Sequence, residues 1–424
     1  MRSNYKKLGQ YIAPVNIRNK DLSVETLLGV SIQKCFIPSI ANTIGSDMSK
    51  YKIIKKFQFA YGPVTSRNGD KISVAFLDDL ESALISQAYT AFEVIDHNQL
   101  DPEYLMMWFR RPEFDRYARF KSHGSTRETF DWEEMCDIEL PIPSIEKQRA
   151  IVKEYNTVVN RIKLNEELNQ KLEETAQAIY KEWFVDFNFP ITEESCPELA
   201  SGFPHLIGKP YKSSGGEMVW NEELDKEVPE GWEVKEINYF SEITSSKRIF
   251  KSEYKNIGIP FYRGKEISIK KSGRPITDIL YISESRYNEL KSKFGKPLKG
   301  DILLTAVGTI GVSYLVENEE FYFKDGNIIW FKNFKNSFDS IYIYAMMQSD
   351  MFKDLIDEIT IGSTQSAITI ASLGTRTIIN PSKKILILFE SLYNRIHNNI
   401  SINNKANLVL FDLKNISLSK MTKV

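Results

Sequence analysis

The chain has 424 residues, 42% hydrophobic and 26% charged, with a formal net charge of −1. That is ordinary globular composition and predicts two or three domains. Cys35, Cys136 and Cys196 have neither disulfide-like nor metal-like spacing, no charged-then-apolar leader opens the chain, and no aliphatic run approaches spanning length. A reduced, cytoplasmic protein without membrane insertion is therefore expected.

Charge is unevenly distributed. Residues 144–230 carry 10 Lys+Arg against 17 Asp+Glu, net −7, whereas residues 247–299 carry 14 against 5, net +9. A basic field of that size attracts a phosphate backbone, and it equally describes a solvated lysine-rich surface.

Residues 1–143 read as a mixed α/β unit. YKIIKKFQFAYGPV, DKISVAFL and AYTAFEVI are predicted strands, with a turn at Arg67-Asn68-Gly69-Asp70, and DPEYLMMWFRRPEFDRYARF is a predicted helix despite Pro112. Arg110, Arg111, Arg116, Arg119, Lys121 and Arg127 interleave with Phe114, Tyr117 and Phe120 and run into the His123-Gly124-Ser125-Thr126 turn. Such a surface can neutralise phosphates and offer short polar side chains to base edges. Its competing reading is a solvated helix face paired with Glu113, Asp115 and Glu128. The strand-end loop holding Tyr61, Gly62, Thr65, Ser66, Arg67 and Asn68 adds a place where glycine permits close approach of a ligand.

A long helix occupies 144–189. At alternating spacings of four and three, Ile151, Tyr155, Val158, Ile162, Asn165, Asn169, Leu172, Ala176, Ile179 and Trp183 form a seam, apolar except for two asparagines. A helix of about 60 Å is too long for one small core and needs a partner. Trp183, Phe184, Phe187 and Phe189 follow as an aromatic cluster, read as a docking patch for another subunit or as packing under the chain's own units. Residues 190–230, acidic and containing Pro, Gly and Ser, read as a linker.

A second globular unit spans 231–382. DILLTAV, VSYLV, EFYF and NIIWF are its predicted strands and SIYIYAMMQSDMFKDLIDEI its helix. Arg263, Lys265, Lys270, Lys271 and Arg274 supply its basic cover, and Thr305 and Thr309 lie in a strand-end loop. The final helix, 383–424, repeats the seam at an offset of 238 residues as Phe389, Tyr393, Ile396, Ile400, Asn403, Asn407 and Leu410. The same offset aligns Tyr104 with Tyr342, Phe114 with Phe352, and Gly124-Ser125-Thr126 with Gly362-Ser363-Thr364, which Gln365 follows. The chain is thus a duplication of a globular unit and a long helix.

No catalytic constellation accompanies this layout. His97, His123, His205 and His397 stand apart from metal-like clusters, and Val307-Gly308-Thr309-Ile310-Gly311 lacks a dinucleotide fingerprint's third glycine and following helix. No phosphate loop for ATP occurs. Asn380-Pro381-Ser382 lacks the second proline and aromatic of an amino-methyltransferase motif. What remains suits binding, and a non-catalytic reader of DNA and a coiled-coil scaffold for other proteins both stay open at this point.

With these features in view, the chain resembles the specificity subunit (HsdS) of type I DNA restriction–modification enzymes over essentially its full length. LPIPSIEKQRAIV, LNEELNQKLEETAQAIYKEWFVDF and VPEGWEV match that family's central region and the start of its second recognition domain; GDILLTAVGTIG and IGSTQSAI match its recognition domains. The last helix departs from the pattern, with Lys383 and Lys384 where Glu-Gln often stands. The resemblance implies a mixed α/β (α+β) fold. Two target-recognition domains would be separated by an antiparallel pair of long helices, in a pseudo-twofold internal repeat. It implies double-stranded DNA as partner, one half-site per domain, in a bacterial or archaeal cytoplasm. It also implies two methyltransferase subunits (HsdM), using S-adenosylmethionine on adenine N6, and two translocase-endonuclease subunits (HsdR). S-adenosylmethionine, ATP and Mg would belong to those partners, with no cofactor or metal in this chain.

Overall fold

The computed structural model describes residues 5–39, 45–66, 68–124, 127–193, 195–361 and 366–423. It comprises two compact units, Met1–Ile162 with Leu410–Val424 and Lys163–Val409. Both long helices cross that division.

In the first unit, β1 (Tyr5–Lys7), β2 (Ile12–Val15), β3 (Phe59–Tyr61), β4 (Val74–Phe76) and β5 (Thr90–Val94) precede α1 (Pro102–Phe109) and α2 (Pro112–Lys121). β6 (Glu139–Pro141) then leads into α3 (Ile145–Phe184). An antiparallel sheet has the order β2-β5-β3-β4, and β6 pairs with β1. Phe59, Phe92, Phe109, Phe114 and Phe130 fill the core against the helices. The helix expected through Pro112 is two helices. Proline has no N–H to donate, so it starts α2 at a position where none is needed, and Arg110–Arg111 make the corner.

The second unit repeats the plan with β7 (Glu233–Glu236), β8 (Glu242–Thr244), α4 (Gly264–Lys271), β9 (Ile302–Thr305), β10 (Ser313–Leu315) and β11 (Ile328–Lys332). After these come α5 (Ser337–Met347), α6 (Asp350–Ile359), β12 (Thr377–Asn380) and α7 (Lys383–Lys420). Its sheet has the order β8-β11-β9-β10, matching the first strand for strand, and β12 pairs with β7. Buried contacts recur with the elements: the Tyr104 hydroxyl donates to the Pro141 carbonyl at 3.1 Å, and Tyr342 donates to Ile379 at 2.7 Å. Each tyrosine satisfies its hydroxyl while tying a helix to the strand that leads into the long helix. The halves differ in their outer sheets, of five strands in the first unit and three in the second. This is a mixed α/β fold with an internal repeat.

The segment read as a linker is folded. Phe189, Ile191, Ala200 and Tyr211 lie in the core of the second unit, with short helices at Pro197–Gly202 and Lys212–Ser214 and a hairpin of Met218–Asn221 and Lys226–Pro229. Its Pro and Gly residues mark the turns between these pieces, and its scattered aromatics bury them. The aromatic patch is likewise internal: Trp183, Phe184, Phe187 and Phe189 are all at most 7% exposed. They pack with Trp232, Tyr342 and Phe389 (Phe184–Phe389 centroids 4.9 Å apart), so they present no docking surface.

On α3, Tyr155, Ile162 and Asn165 are buried and Ile151, Val158, Asn169 and Leu172 half-buried. On α7, Phe389, Tyr393 and Asn407 are buried and Ile396, Ile400, Asn403 and Leu410 half-buried. Within the second unit Trp183 meets Phe389 while Asn165 meets Asn407, so the two helices run antiparallel there.

Candidate nucleic-acid interface

In the first unit, His123 and Thr129 exchange both backbone hydrogen bonds (3.1 and 2.9 Å) at the base of a hairpin beyond α2. The hairpin is seated on the loop after β3: the Phe130 amide donates to the Pro63 carbonyl (2.8 Å) and the Thr65 amide to the Glu128 carbonyl (2.9 Å). In the second unit, Ile361 and Ala367 exchange the same two bonds (2.9 Å each), and the Ile368 amide donates to Ala306 at 3.1 Å. One device, a hairpin docked on a strand-end loop, thus occurs in both halves. The proposed readers Arg67, Ser125, Thr126, Ser363, Thr364 and Gln365 lie outside the described residues.

Several expected DNA contacts have other work. Tyr61 is fully buried among the aromatic rings of the first core, since β3 turns its side chain inward. Thr65 is 2% exposed, its hydroxyl directed to the Glu128 carbonyl. Thr305 is fully buried and its Oγ1 accepts from the Val312 amide (2.9 Å), closing the 305–312 loop; Gly308 and Gly311 there hold φ of +82° and +85°, which favour glycine. These threonines shape the loops, and their buried side chains are not available to a ligand. Ser66 and Thr309 are exposed, and Asn68, half-buried, donates to Val64 at 3.3 Å.

The cations divide similarly. Arg110 lies half-buried over the Tyr155 ring at 5.9 Å, Arg119 pairs with Glu128, and Lys121 reaches Glu134 at 3.0 Å. Arg263 grips the buried Glu266 at 2.6 Å. Burial pushes that carboxyl up, and hydrogen bonds from the Arg263 side chain and amide outweigh burial and leave it below the usual carboxylate range. Lys270 pairs with Glu319, Lys271 with Glu173 at 2.8 Å, and Arg274 with Glu166 at 3.5 Å. Glu166 and Glu173 belong to the acidic segment, so part of the +9 field is matched inside the chain. Arg127 and Lys265 are exposed and form no ion pair among the described residues. Phe120, near the end of α2 and three residues before the first hairpin in sequence, is 83% exposed.

Among the described residues no group of three or more His, Cys, Asp or Glu is placed to hold a metal ion, and no helix is long and apolar enough to cross a membrane. A cleft of about 680 Å³ in the second unit is lined by α3, α7 and the end of α4, including Lys271, Arg274, Glu317, Tyr344, His397 and Asn404. Of its cations, Lys270, Lys271, Arg274 and Lys405 are matched by Glu319, Glu173, Glu166 and Glu317. The sequence signal for this cleft was present only as opposite charge on two distant segments.

The chain matches the family described as the type I restriction modification DNA specificity domain over residues 28–174 and 229–407. It is 25% identical over 341 residues to the specificity subunit of the type I restriction enzyme MjaIX of Methanocaldococcus jannaschii, covering 77% of this chain and 70% of that one. It is 25% identical over 412 residues to the specificity subunit of the HindI enzyme of Haemophilus influenzae, covering 87% and 86%. The crystal structure of a type I restriction-modification S subunit from M. genitalium shares its fold, with a TM-score of 0.50 over 99% of this chain and 95% of that one at 13% identity.

Proposed function

This chain belongs to the type I restriction–modification DNA specificity family, and from that premise we propose that it reads a bipartite duplex target, one recognition domain to each half-site, with the long helices setting the unread spacer. The observation that supports this best is the repeated hairpin on a strand-end loop, at His123–Thr129 and Ile361–Ala367. Loops held by a rigid frame can place short side chains against base edges, while exposed cations such as Arg127 and Lys265 meet phosphates. The unlike outer sheets of the two units favour two different half-sites.

The chain acts without catalytic residues of its own. Two methyltransferase subunits carry S-adenosylmethionine and methylate adenine N6; two translocase-endonuclease subunits, with ATP and Mg, join for cleavage. A methyltransferase docks on the helix pair, for which the second unit offers an apolar face. Leu164, Leu168, Ile402 and Val409 are each about half exposed or more, and each stands one residue before a seam position. In an antiparallel pair that offset puts them on one side, suited to an amphipathic helix of a partner.

The test mixes the full chain with the methyltransferase encoded beside it, S-adenosylmethionine and a duplex library. Adenine methylation in a single split sequence is expected, with DNA binding that weakens steeply as salt rises. Methylation without sequence preference, or none, would sink the proposal, and retention of protein partners without any DNA binding would favour the scaffold alternative.

A further inference from the structure

We propose that the second recognition domain is registered on the helix pair by a latch formed by Lys271, Gly273 and Arg274, and that this latch decides how far its half-site lies from the spacer. The inference rests on the bipartite reading above and names the residues that do the positioning.

The latch lies on the side of the helix pair opposite the apolar face. Residues one place after seam positions (Gln170, Glu173 and Gln177 on α3; His397, Ser401 and Asn404 on α7) line the cleft against the recognition domain. At its centre is the turn that ends α4. Gly273 has φ +67°, and a Cβ there would come within 3.0 Å of the Asn404 Cβ and closer still to its amide. Asn404 is no loose surface group: its Oδ1 accepts from Asn169 (2.7 Å), and the Asn169 Oδ1 accepts from Asn403 (2.8 Å). The asparagines that fix the register of the two helices therefore also form the seat for this turn.

Ion pairs hold the turn on its seat. Lys271 donates to Glu173 at 2.8 Å with its ammonium 5.6 Å from the Tyr344 ring centre, and Arg274 reaches Glu166. On α7, Ser401 donates to Glu317 at 2.6 Å and Lys405 pairs with it at 3.4 Å, fastening the strand-end segment after β10 to the same helix. The domain is thus gripped at two points on two helices, which opposes both sliding along the pair and rotation about it. A half-site displaced by one base pair moves about 3.4 Å along the duplex and turns by roughly a tenth of a helical turn. A shift of that size cannot be accommodated while Gly273 remains against Asn404.

The experiment uses the full chain with its methyltransferase and duplexes in which both half-sites are fixed and the spacer varies one base pair at a time. The wild type is expected to methylate one spacer length. Lys271→Glu sets two acids against each other at the latch and should bring the neighbouring lengths to within about tenfold of the cognate rate, with both half-site sequences unchanged. Lys271→Glu with Glu173→Lys should restore the narrow profile, and Gly273→Ala should broaden it independently. Lys163→Ala, breaking a solvent-facing pair with Glu167 on the same helix, should leave it as in wild type. A narrow profile in both Lys271→Glu and Gly273→Ala overturns the latch while the bipartite reading stands. If Lys271→Glu abolishes methylation and the charge swap fails to restore it, the latch is also overturned. Wild type with no spacer preference removes the bipartite reading itself.

Discussion

Asn165 donates its side-chain amide to the Asn407 carbonyl oxygen at 2.8 Å, and the two residues are 2% and 3% exposed. A buried amide pair is satisfied only when these two positions face each other, so, together with the Asn169–Asn403 pair beside it in the seam, it penalises other registers. Asn165→Leu leaves Asn407 without its partner in a buried site and should lower stability by about 1–3 kcal/mol. Asn165→Leu with Asn407→Leu should recover most of that loss and could exceed wild type. A denaturant double-mutant cycle checks this; additive losses from the two single changes would show that the pair is not coupled.

How much of this was legible beforehand depends on the range of the interactions. The seam of α3 and its repeat in α7 are periodic patterns, and periodicity is local, so both helices and the duplication could be read directly. Pro112 misled only because a proline can start a helix as easily as interrupt one. The fate of residues 190–230 was not legible, because Tyr211 and Trp232 become core only when Phe189 stacks between them. Which cations are paired inside the chain was not legible for the same reason. Lys271 and Glu173 are 98 residues apart in sequence, and only the fold reveals that they cancel. At Tyr61 and Thr305 the strand ends were located, but which side of a strand faces inward depends on the sheet that it joins.

The aromatic cluster at the end of α3 makes a stability prediction opposite to that of a docking patch. Phe389 is 1% exposed and lies against Trp183, Phe184 and Tyr180. Phe389→Ala should cost about 3–5 kcal/mol through lost burial and the cavity left behind. The measurement is urea unfolding of the chain without any partner. A docking residue would leave that curve unchanged and weaken only subunit association.

Lys265 and Lys271, six residues apart on α4, should respond differently to removal. Lys265 is exposed and without an ion pair among the described residues, so Lys265→Ala should weaken DNA binding about equally on all sequences and reduce the salt slope by about one. Lys271→Met should leave the slope nearly unchanged, because its charge is already matched by Glu173. Titrations of duplex binding at several salt concentrations compare the two. Equal slopes for both variants would mean that the ion pair opens on DNA.

The spacer role makes a geometric prediction. One heptad of helix is about 10.5 Å long, close to three base pairs of duplex. Removing a heptad from each long helix should shorten the recognised spacer by about that amount and leave the half-site sequences intact. Methylation mapping on a library of spacers reads this directly, and an unchanged spacer would rule out the helices as the measuring element.

His397 ties the stability of the second unit to pH. Its ring stacks on Tyr393 (centroids 6.3 Å, 20° between planes) and meets the edge of Tyr344 at 6.1 Å. Glu317, Glu173, Lys271 and Lys405 face it from the surrounding elements. Burial holds the imidazole below its usual range, partly opposed by the Glu317 carboxylate. The folded protein therefore takes up this proton less readily than the unfolded chain, whose histidine titrates near about 6.5. Between the two values the unfolded state binds more protons, so stability falls as pH drops. The contribution is fully present above the unfolded value, declines below it with a slope of at most about 1.4 kcal/mol per pH unit, and levels off below the folded value. His397→Phe should keep the aromatic contacts and remove this part of the slope. Unfolding free energies of wild type and variant, measured from pH 7.5 to 5, should converge as the pH is lowered if wild type starts the more stable, or diverge if the variant does. Parallel curves would show that the ring is not held neutral by its surroundings.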